Sequence, residues 1–276
     1  MGIDVFKQLV PVRGTKNLRD LGGLRTAGGR VVRSGVLFRS DTLHEADSDD
    51  LARLGLACVV DFRSEAEVER RPDRLNGLAV RWVNLPIDNP RSPTALFGDR
   101  QDQQDVSELR AEIIHHWLNQ DFDAVLKLID ELGLDIPADR EERYVSFATD
   151  FAPVFAGFFA ELVAIAGQPL LFHCEGGKDR TGAAAAMLLG VLGVDRDTVV
   201  ADYLATNTVV ADELEEQRRL APESLWPIMD AHESHIEAFL NHIDNELGGM
   251  DSYARSHLHL TDENVVQLRS TYLRSP

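Results

Sequence analysis

Ten residues, His173–Gly182, combine a cysteine, three glycines, a lysine and an arginine in the string HCEGGKDRTG. The string follows the apolar run PLLF and precedes AAAAMLLGVLG, which indicates a strand that passes into a helix. At such a junction the backbone N–H groups from Glu175 to Arg180 curl around one point, and the first helical turn adds its unpaired donors. Gly176 and Gly177 permit the backbone angles that the curl requires. The pattern predicts a cradle for an anion of phosphate size.

Two side chains complete a reaction site in this cradle. Arg180 offers a planar fork of donors that matches phosphate oxygens. Cys174 lies at the rim, where the N–H donors, the helix terminus and the guanidinium favour its thiolate form. A thiolate beside an oxyanion clamp predicts phosphoryl transfer through a cysteinyl-phosphate that is then hydrolysed, and we expect no metal ion or other cofactor. The residues predicted to bind phosphate are Glu175, Gly176, Gly177, Lys178, Asp179 and Arg180.

The same string resembles a known family. Cys174, five residues and then Arg180 and Thr181 form the C-x5-R-[ST] signature of cysteine-dependent phosphatases. The longer string is similar to the loop of the bacterial, mycobacterial PtpB-like tyrosine phosphatase family, and the segments NLRDLGG, VVDFRSEAEVERRPD and VADYLATN resemble other parts of that family in order. The resemblance implies that Cys174 is the nucleophile and that Arg180 binds phosphate. It further implies that Thr181 donates its hydroxyl to the departing sulfur and that His173 supports the loop.

The leaving oxygen needs a proton, and two aspartates are candidates for the general acid. The family's Lys-Asp-Arg string implies this role for Asp179, and the alternative is an ion pair with Arg180 or Lys178 that only shapes the loop. Asp88 follows Pro86 in WVNLPIDNP and resembles the mobile Pro-x-Asp acid loop of related phosphatases. The alternative for Asp88 is an ordinary turn residue. We expect Asp179 to be the acid and keep Asp88 as the second candidate.

Substrate choice depends on the charges of the loop. Lys178 is a second cation that suits substrates with more than one phosphate, as in lipid phosphatases with C-K-x-G-K-x-R loops, or else it neutralises Asp179. Glu175 makes this loop less basic than that pattern. Tyr144 resembles a family tyrosine near the substrate. We expect a phosphotyrosine-containing protein as substrate, with phosphoserine, phosphothreonine, phosphoinositides or phosphorylated small molecules as further candidates. A phosphoinositide phosphatase and a phosphate-binding module without catalysis stay open as alternative functions.

The composition limits the class of protein. The chain has 276 residues, of which 44% are hydrophobic and 27% charged, as in ordinary globular domains. A net charge of −18 disfavours nucleic acid and anionic membranes as partners. We find no secretory signal and no run of the roughly 18 apolar residues that span a bilayer. The two cysteines, Cys58 and Cys174, argue against a disulfide framework and indicate a reducing cytoplasm, with Cys58 packed in the core. The oligomeric state stays open.

Strand patterns alternate with helical ones and predict an α/β fold with a mostly parallel central sheet flanked by helices. The resemblance implies one protein-tyrosine-phosphatase-like domain over residues 1–276. Residues 91–142 have the pattern of a helical insertion, including FDAVLKLIDELG. The predicted strands lie in Arg30–Ser40, Ala57–Ser64, Leu78–Ile87 and Gln168–Cys174.

After the loop we expect only helices. One apolar stripe runs from Leu225 to Ile243. Thr261 is the candidate N-cap of the last helix, although Asn264 stands where Glu or Gln would close a capping box. In the N-terminal part, Asp61 and Arg63 are expected to buttress the site. Four arginines there either balance nearby acids or rim the cleft, namely Arg13, Arg19, Arg33 and Arg39.

Overall fold

A five-stranded sheet forms the centre of the molecule, in a computed structural model that describes residues 5–87, 112, 113, 115–117, 119–133 and 136–276. The strand order is β1-β3-β6-β4-β5, and every pair is parallel except β1 with β3. The mostly parallel α/β class predicted from the sequence is therefore confirmed. The strands are β1 (Arg19–Asp20), β2 (Val31–Val32), β3 (Leu37–Ser40), β4 (Cys58–Asp61), β5 (Arg81–Asn84), β6 (Leu170–His173) and β7 (Leu273–Arg274).

The four parallel strands end at the same edge of the sheet. Ser40 and Asp61 flank His173, and Asn84 pairs with Asp61, so the last residues of these strands are in register. The segments that leave the sheet at this edge therefore meet around the end of β6. In open α/β sheets this carboxyl edge is the place where ligands bind.

Alternating side chains on each strand separate two cores. Leu170 and Phe172 of β6 face the larger core, whereas Leu171 between them faces the smaller one. Cys58 belongs to the larger core, as expected, and it is fully buried. This period of two is what a strand buried on both faces produces.

Helices supply most of the larger core, and the smaller core lies against α1 and the N-terminal segment. The helices are α1 (Ser48–Ala52), α2 (Glu65–Arg70), α3 (Phe122–Leu132), α4 (Ile136–Ala148), α5 (Ala152–Ile165), α6 (Asp179–Leu192), α7 (Arg196–Val209), α8 (Ala211–Leu220), α9 (Trp226–Met229), α10 (Glu233–Asn245), α11 (Met250–Ser256) and α12 (Asp262–Tyr272). The predicted helix at FDAVLKLIDELG is present as α3. Most of the predicted insertion before it lies outside the described residues.

Three details differ from the sequence-based expectations. The chain is not wholly helical after the loop, because β7 pairs antiparallel with β2. The stripe from Leu225 to Ile243 is not one helix, since α9 ends at Met229 and α10 starts at Glu233. Asn264 does close the capping box of α12, because its Oδ1 accepts from the Thr261 N–H at 3.1 Å. An amide oxygen serves this purpose as a carboxylate does.

No single helix in the described ranges is both long and apolar enough to cross a membrane. The segments Ala138–Ala148 and Ala152–Ile165 pass that test of length and composition only when taken together, with a bend of 51° between them.

Candidate active site

The loop between β6 and α6 is held by its carbonyl groups. Four consecutive carbonyls each lie against a donor: Cys174 O against His173 Nδ1 at 3.1 Å, and Glu175 O against the Thr42 N–H at 3.0 Å. The carbonyls of Gly176 and Gly177 accept from the side-chain amide of Asn17 at 3.1 and 3.2 Å. The Gly177 carbonyl also accepts from Arg39 Nη2 at 2.9 Å.

This arrangement determines where the N–H groups of the loop point. In a trans peptide the C=O of one residue and the N–H of the next are antiparallel. Since the carbonyls from Cys174 to Gly177 point towards their donors, the N–H groups from Glu175 to Lys178 point the opposite way. The predicted phosphate cradle needs N–H groups that are oriented in this way, and phosphate binding by them stays a prediction.

The backbone conformation and surroundings require glycine at Gly177 but not at Gly176. Gly177 has a φ of 66°, and a Cβ there would lie 2.5 Å from the Ser40 carbonyl oxygen. Gly176 does not adopt a positive φ, and a Cβ there would meet no atom within 4 Å. The expectation that both glycines supply unusual backbone angles is therefore correct only for Gly177.

Cys174 directly follows β6 and is 3% exposed. Arg180, in the first turn of α6, donates to both carboxylate oxygens of Glu67 at 2.6 and 2.9 Å. It also donates to the carbonyls of Phe62 and Ile87, each at 3.3 Å. Burial disfavours its charge, but the Glu67 hydrogen bonds and the attraction of Cys174 raise the pKa of Arg180 above its ordinary value. The guanidinium is thus fixed as a cation beside the cysteine.

Glu67 reaches Arg180 from the first turn of α2. The same carboxylate accepts from the N–H of Ser64 at 2.8 Å, and the Ser64 hydroxyl accepts from the Glu67 N–H, which makes a capping box. Burial opposes its ionisation, but the hydrogen bonds and charge of Arg180 lower the pKa of Glu67 to about 2. One carboxylate therefore both caps a helix and orients the phosphate-binding arginine.

His173 supports the loop from inside the sheet, as the family resemblance implies. Its Nε2 lies 3.0 Å from a carboxylate oxygen of Asp73 and 3.9 Å from one of Asp61. Burial disfavours the charged ring, but these carboxylates raise the pKa of His173 to about 9. Below that pH both ring nitrogens carry protons, so Nδ1 donates to the Cys174 carbonyl.

Asp61, Asp73 and His173 have ligand atoms within 4.8 Å of one another, a spacing that a metal ion would accept. The guanidinium of Arg63 instead donates to Asp61 at 2.7 Å and to Asp73 at 2.7 Å. A cation already neutralises the cluster. Asp61 and Arg63 are both buried and buttress this edge of the sheet.

Asp179 is held as an anion by groups from α4. Arg140 Nη2 and the Tyr144 hydroxyl both donate to one carboxylate oxygen of Asp179 at 2.5 Å. Burial alone would raise the pKa of Asp179, but the charges of Arg140 and Lys178 hold it well below its usual range. The other candidate acid, Asp88, lies outside the described residues.

Lys178 binds backbone rather than open solvent. Its Nζ donates to the carbonyls of Ile228 and Met229 at 2.8 and 2.9 Å, and it lies 3.7 Å from Asp179. Burial lowers the pKa of Lys178 to about 8, although Asp179 opposes that change. The amino group therefore ties the loop to α9.

Two further loop side chains have distinct surroundings. Glu175 forms an ion pair with Arg71 and lies 3.9 Å from Arg63. The Thr181 hydroxyl is buried and finds no hydrogen-bond partner within the described part of the chain. Its bond to the cysteine sulfur stays a prediction.

Several residues at this site were not identified from the sequence. They lie in loops and helices far from Cys174 along the chain, and their residue types alone do not indicate a role at the site. Glu67 had a local signal, because Ser-x-x-Glu is the pattern of a capping box, but that pattern does not reveal a bond to Arg180. The residues missed are Asn17, Thr42, Glu67, Asp73 and Arg140.

Comparison with known proteins shows which proteins this chain resembles. A family model described as "Tyrosine phosphatase family" matches residues 10–274. A protein of Cupriavidus necator that carries the name of a tyrosine-protein phosphatase is 36% identical over 271 residues, which cover 93% of this chain and 85% of that protein. The triple specificity protein phosphatase PtpB of Mycobacterium tuberculosis is 30% identical over 263 residues, covering 88% of this chain and 91% of that one. A tyrosine-protein phosphatase of Nostoc commune is 28% identical over 161 residues, covering 58% and 44%.

Proposed function

The chain belongs to the tyrosine phosphatase family, and on that basis we propose that it hydrolyses phosphotyrosine in proteins through a phosphorylated Cys174. The observation that carries the proposal is the row of four N–H groups, Glu175 to Lys178, beside a buried cysteine and a fixed arginine. Such donors match the oxygens of a phosphoryl group. The test is release of inorganic phosphate from a phosphotyrosine peptide, with inhibition by vanadate. Wild-type protein that releases no phosphate would overturn the proposal.

The reaction runs in two displacements. The sulfur of Cys174 attacks phosphorus, an S–P bond forms, and the P–O bond to the tyrosine oxygen breaks while that oxygen takes a proton. Arg180 and the loop N–H groups neutralise charge on the other phosphate oxygens. A water oxygen then attacks phosphorus and the S–P bond breaks, which gives inorganic phosphate and the free thiolate. Thr181 donates a hydrogen bond to the departing sulfur.

We retain Asp179 as the general acid of the first step. Asp179 directly precedes Arg180 at the start of α6, where the loop ends, and this position supports the role. In the structure Arg140 and Tyr144 favour its anionic form. For Asp179 to act as the acid, substrate binding must weaken these contacts so that the carboxylate can take up a proton. Asp88 remains the second candidate.

Replacing Asp179 by Asn is expected to slow hydrolysis of phenyl phosphate by about 10²- to 10⁴-fold, because a poor leaving group needs the proton. p-Nitrophenyl phosphate has a good leaving group and should lose much less. The measurement is kcat for a series of aryl phosphates with increasing leaving-group pKa, for Asp179→Asn and Asp88→Asn in parallel. If only Asp88→Asn steepens the dependence on leaving-group pKa, Asp88 is the acid and Asp179 only shapes the loop.

We propose that substrates with a single phosphate are preferred over phosphoinositides. The carboxylate of Glu175 forms an ion pair with Arg71 and lies near Arg63. The amino group of Lys178 donates hydrogen bonds to two backbone carbonyls. Arg71 and Lys178 are therefore not available to a second phosphate group. This arrangement also supports a protein-tyrosine phosphatase rather than a phosphoinositide phosphatase as the main function.

Replacing Glu175 by Gln should release Arg71 and raise kcat/KM for a soluble inositol bisphosphate by about five- to tenfold relative to a phosphotyrosine peptide. The gain should shrink at about 0.5 M salt, because exposed charges are screened. Glu263→Gln, an exposed change of the same kind in α12, is the control and should alter neither rate. Equal changes for both substrates would contradict a role of Glu175 in substrate choice.

We also propose that one domain over residues 1–276 carries the site. The largest core contains residues from Leu21 to Leu273, which supports a single unit. The cytoplasm is the proposed compartment, because the nucleophile must remain a free thiol and both cysteines are unpaired. The proposed partners are phosphorylated proteins.

A further inference from the structure

Asn17 and Arg39 belong to a buried network behind the loop, and neither residue takes part directly in the two displacements. Arg19 Nη1 donates to the side-chain oxygen of Asn17. Asp202 of α7 accepts from Arg19 Nε at 3.2 Å and also from Arg39 Nη1. Arg19 Nη2 further donates to the backbone carbonyl of Asp202 at 2.8 Å. The Asp202 carboxylate thus binds two arginines. Arg39 contacts the loop directly, and Arg19 contacts it through Asn17.

The network is fully removed from solvent. Asn17, Arg19 and Arg39 are 0% exposed, and Asp202 is 1% exposed. Buried ion pairs contribute little net stability, because desolvation of the charges offsets their attraction. A fold that needed only stability would be served as well by apolar residues here. The network therefore calls for a functional explanation.

The geometry supplies that explanation through the peptide planes of the loop. Asn17 holds the Gly176 carbonyl, and Asn17 together with Arg39 holds the Gly177 carbonyl. Because each peptide is planar, these bonds aim the N–H groups of Gly177 and Lys178 into the cradle. Donors fixed before the reaction stabilise transition-state charge without any cost of reorganisation.

We propose that Asn17, Arg39 and Asp202 are positioning residues, which hold the loop so that the Gly177 and Lys178 N–H groups meet the phosphoryl oxygens in the transition state. The proposal rests on the proposed function, since it concerns the same phosphoryl group. It assigns a role to three segments of the sequence, NLRD, LFRSD and VADYLATN, that lie far apart along the chain.

Two variants test the proposal. Asn17→Ala removes the amide from both carbonyls, and Arg39→Lys keeps a cation beside Asp202 but loses the planar fork. Each is expected to lower kcat for p-nitrophenyl phosphate by about 10- to 100-fold, with KM changed less than about threefold. The double variant should cost less than the product of the single losses, because both donors bind the Gly177 carbonyl.

The decisive readout is inhibitor selectivity. Vanadate mimics the transition state and phosphate the ground state, so the variants should lose more affinity for vanadate than for phosphate. Inhibition constants do not depend on the fraction of folded enzyme, so a merely structural role would leave their ratio unchanged. Gln267→Ala removes a side-chain amide from the Val163 carbonyl, at 3.1 Å, and should leave both constants unchanged.

Equal loss of affinity for both anions, or an unchanged kcat, would overturn the positioning role. The same two affinities can be measured by calorimetry on protein that does not turn over. A wild type that binds vanadate but releases no phosphate would overturn the proposed function, while the affinity ratio of the variants would still decide the positioning role.

Discussion

Replacing Cys174 by Ser is expected to lower phosphatase turnover by more than about 10⁴-fold while leaving the fold intact. The substitution changes one atom at a site that is 3% exposed, and the loop hydrogen bonds come from backbone groups and neighbours that remain. A serine hydroxyl keeps its proton at neutral pH, and the described residues place no base against it. The attacking anion is therefore lost, while the phosphate cradle persists.

Two measurements check this result. Acid quench of wild-type protein during turnover, followed by mass spectrometry, should show a phosphoryl group on the peptide that contains Cys174, and the Ser variant should show none. Cys58→Ala is the matched control, because Cys58 is the other thiol and lies buried at the start of β4. Turnover by the Ser variant at the wild-type rate, or a phosphoryl group on a different residue, would refute the cysteine mechanism.

Arg180→Lys should lower kcat by about 10³-fold or more, which is the lower range found for an arginine that stabilises phosphoryl transfer. Lysine keeps the charge but cannot bind both oxygens of Glu67 and still offer a second pair of donors to phosphate. Glu67 would then remain buried with an incomplete partner, since Arg180 now gives it bonds of 2.6 and 2.9 Å. The variant therefore loses both the orientation of the bound phosphate and the full pairing of the Glu67 charge.

The measurement is kcat together with the inhibition constant of inorganic phosphate, which should rise in the variant. Arg196→Lys is the matched control, because Arg196, the first residue of α7, also binds acidic side chains, at 2.6 Å to Asp244, and its hydrogen-bond partners among the described residues all belong to α10 rather than to the loop. A loss below about tenfold in the Arg180 variant would show that the guanidinium fork is not needed.

The parts of the molecule with local signals could be predicted from the sequence. The apolar run before Cys174 predicted β6, because a buried parallel strand needs apolar residues on both faces. The glycines and the following apolar stretch predicted a loop that opens a helix. Helix ends were predictable too, because Thr261, the candidate cap of the last helix, accepts from the Asn264 N–H at 3.1 Å.

The supporting residues could not be predicted, because their function depends on contacts between distant segments. Asn17 and Gly177 are 160 positions apart, and only the sheet brings them together. Arg19 and Arg39 had two interpretations, as partners of acids or as the rim of the cleft. The structure shows the first, since Asp202 pairs with both. Single-sequence patterns give composition and spacing but not the partner of a buried charge.

The place of Asp202 along the chain affects biosynthesis. A ribosome that has released residues up to Gly182 has made the nucleophile and its guanidinium, but α7 is still inside the exit tunnel. Arg19 and Arg39 then lack their counter-ion and stay hydrated, so the nascent polypeptide has an unsupported loop. We therefore expect a newly made chain to gain phosphatase activity only after α7 has emerged and Asp202 can bind both arginines.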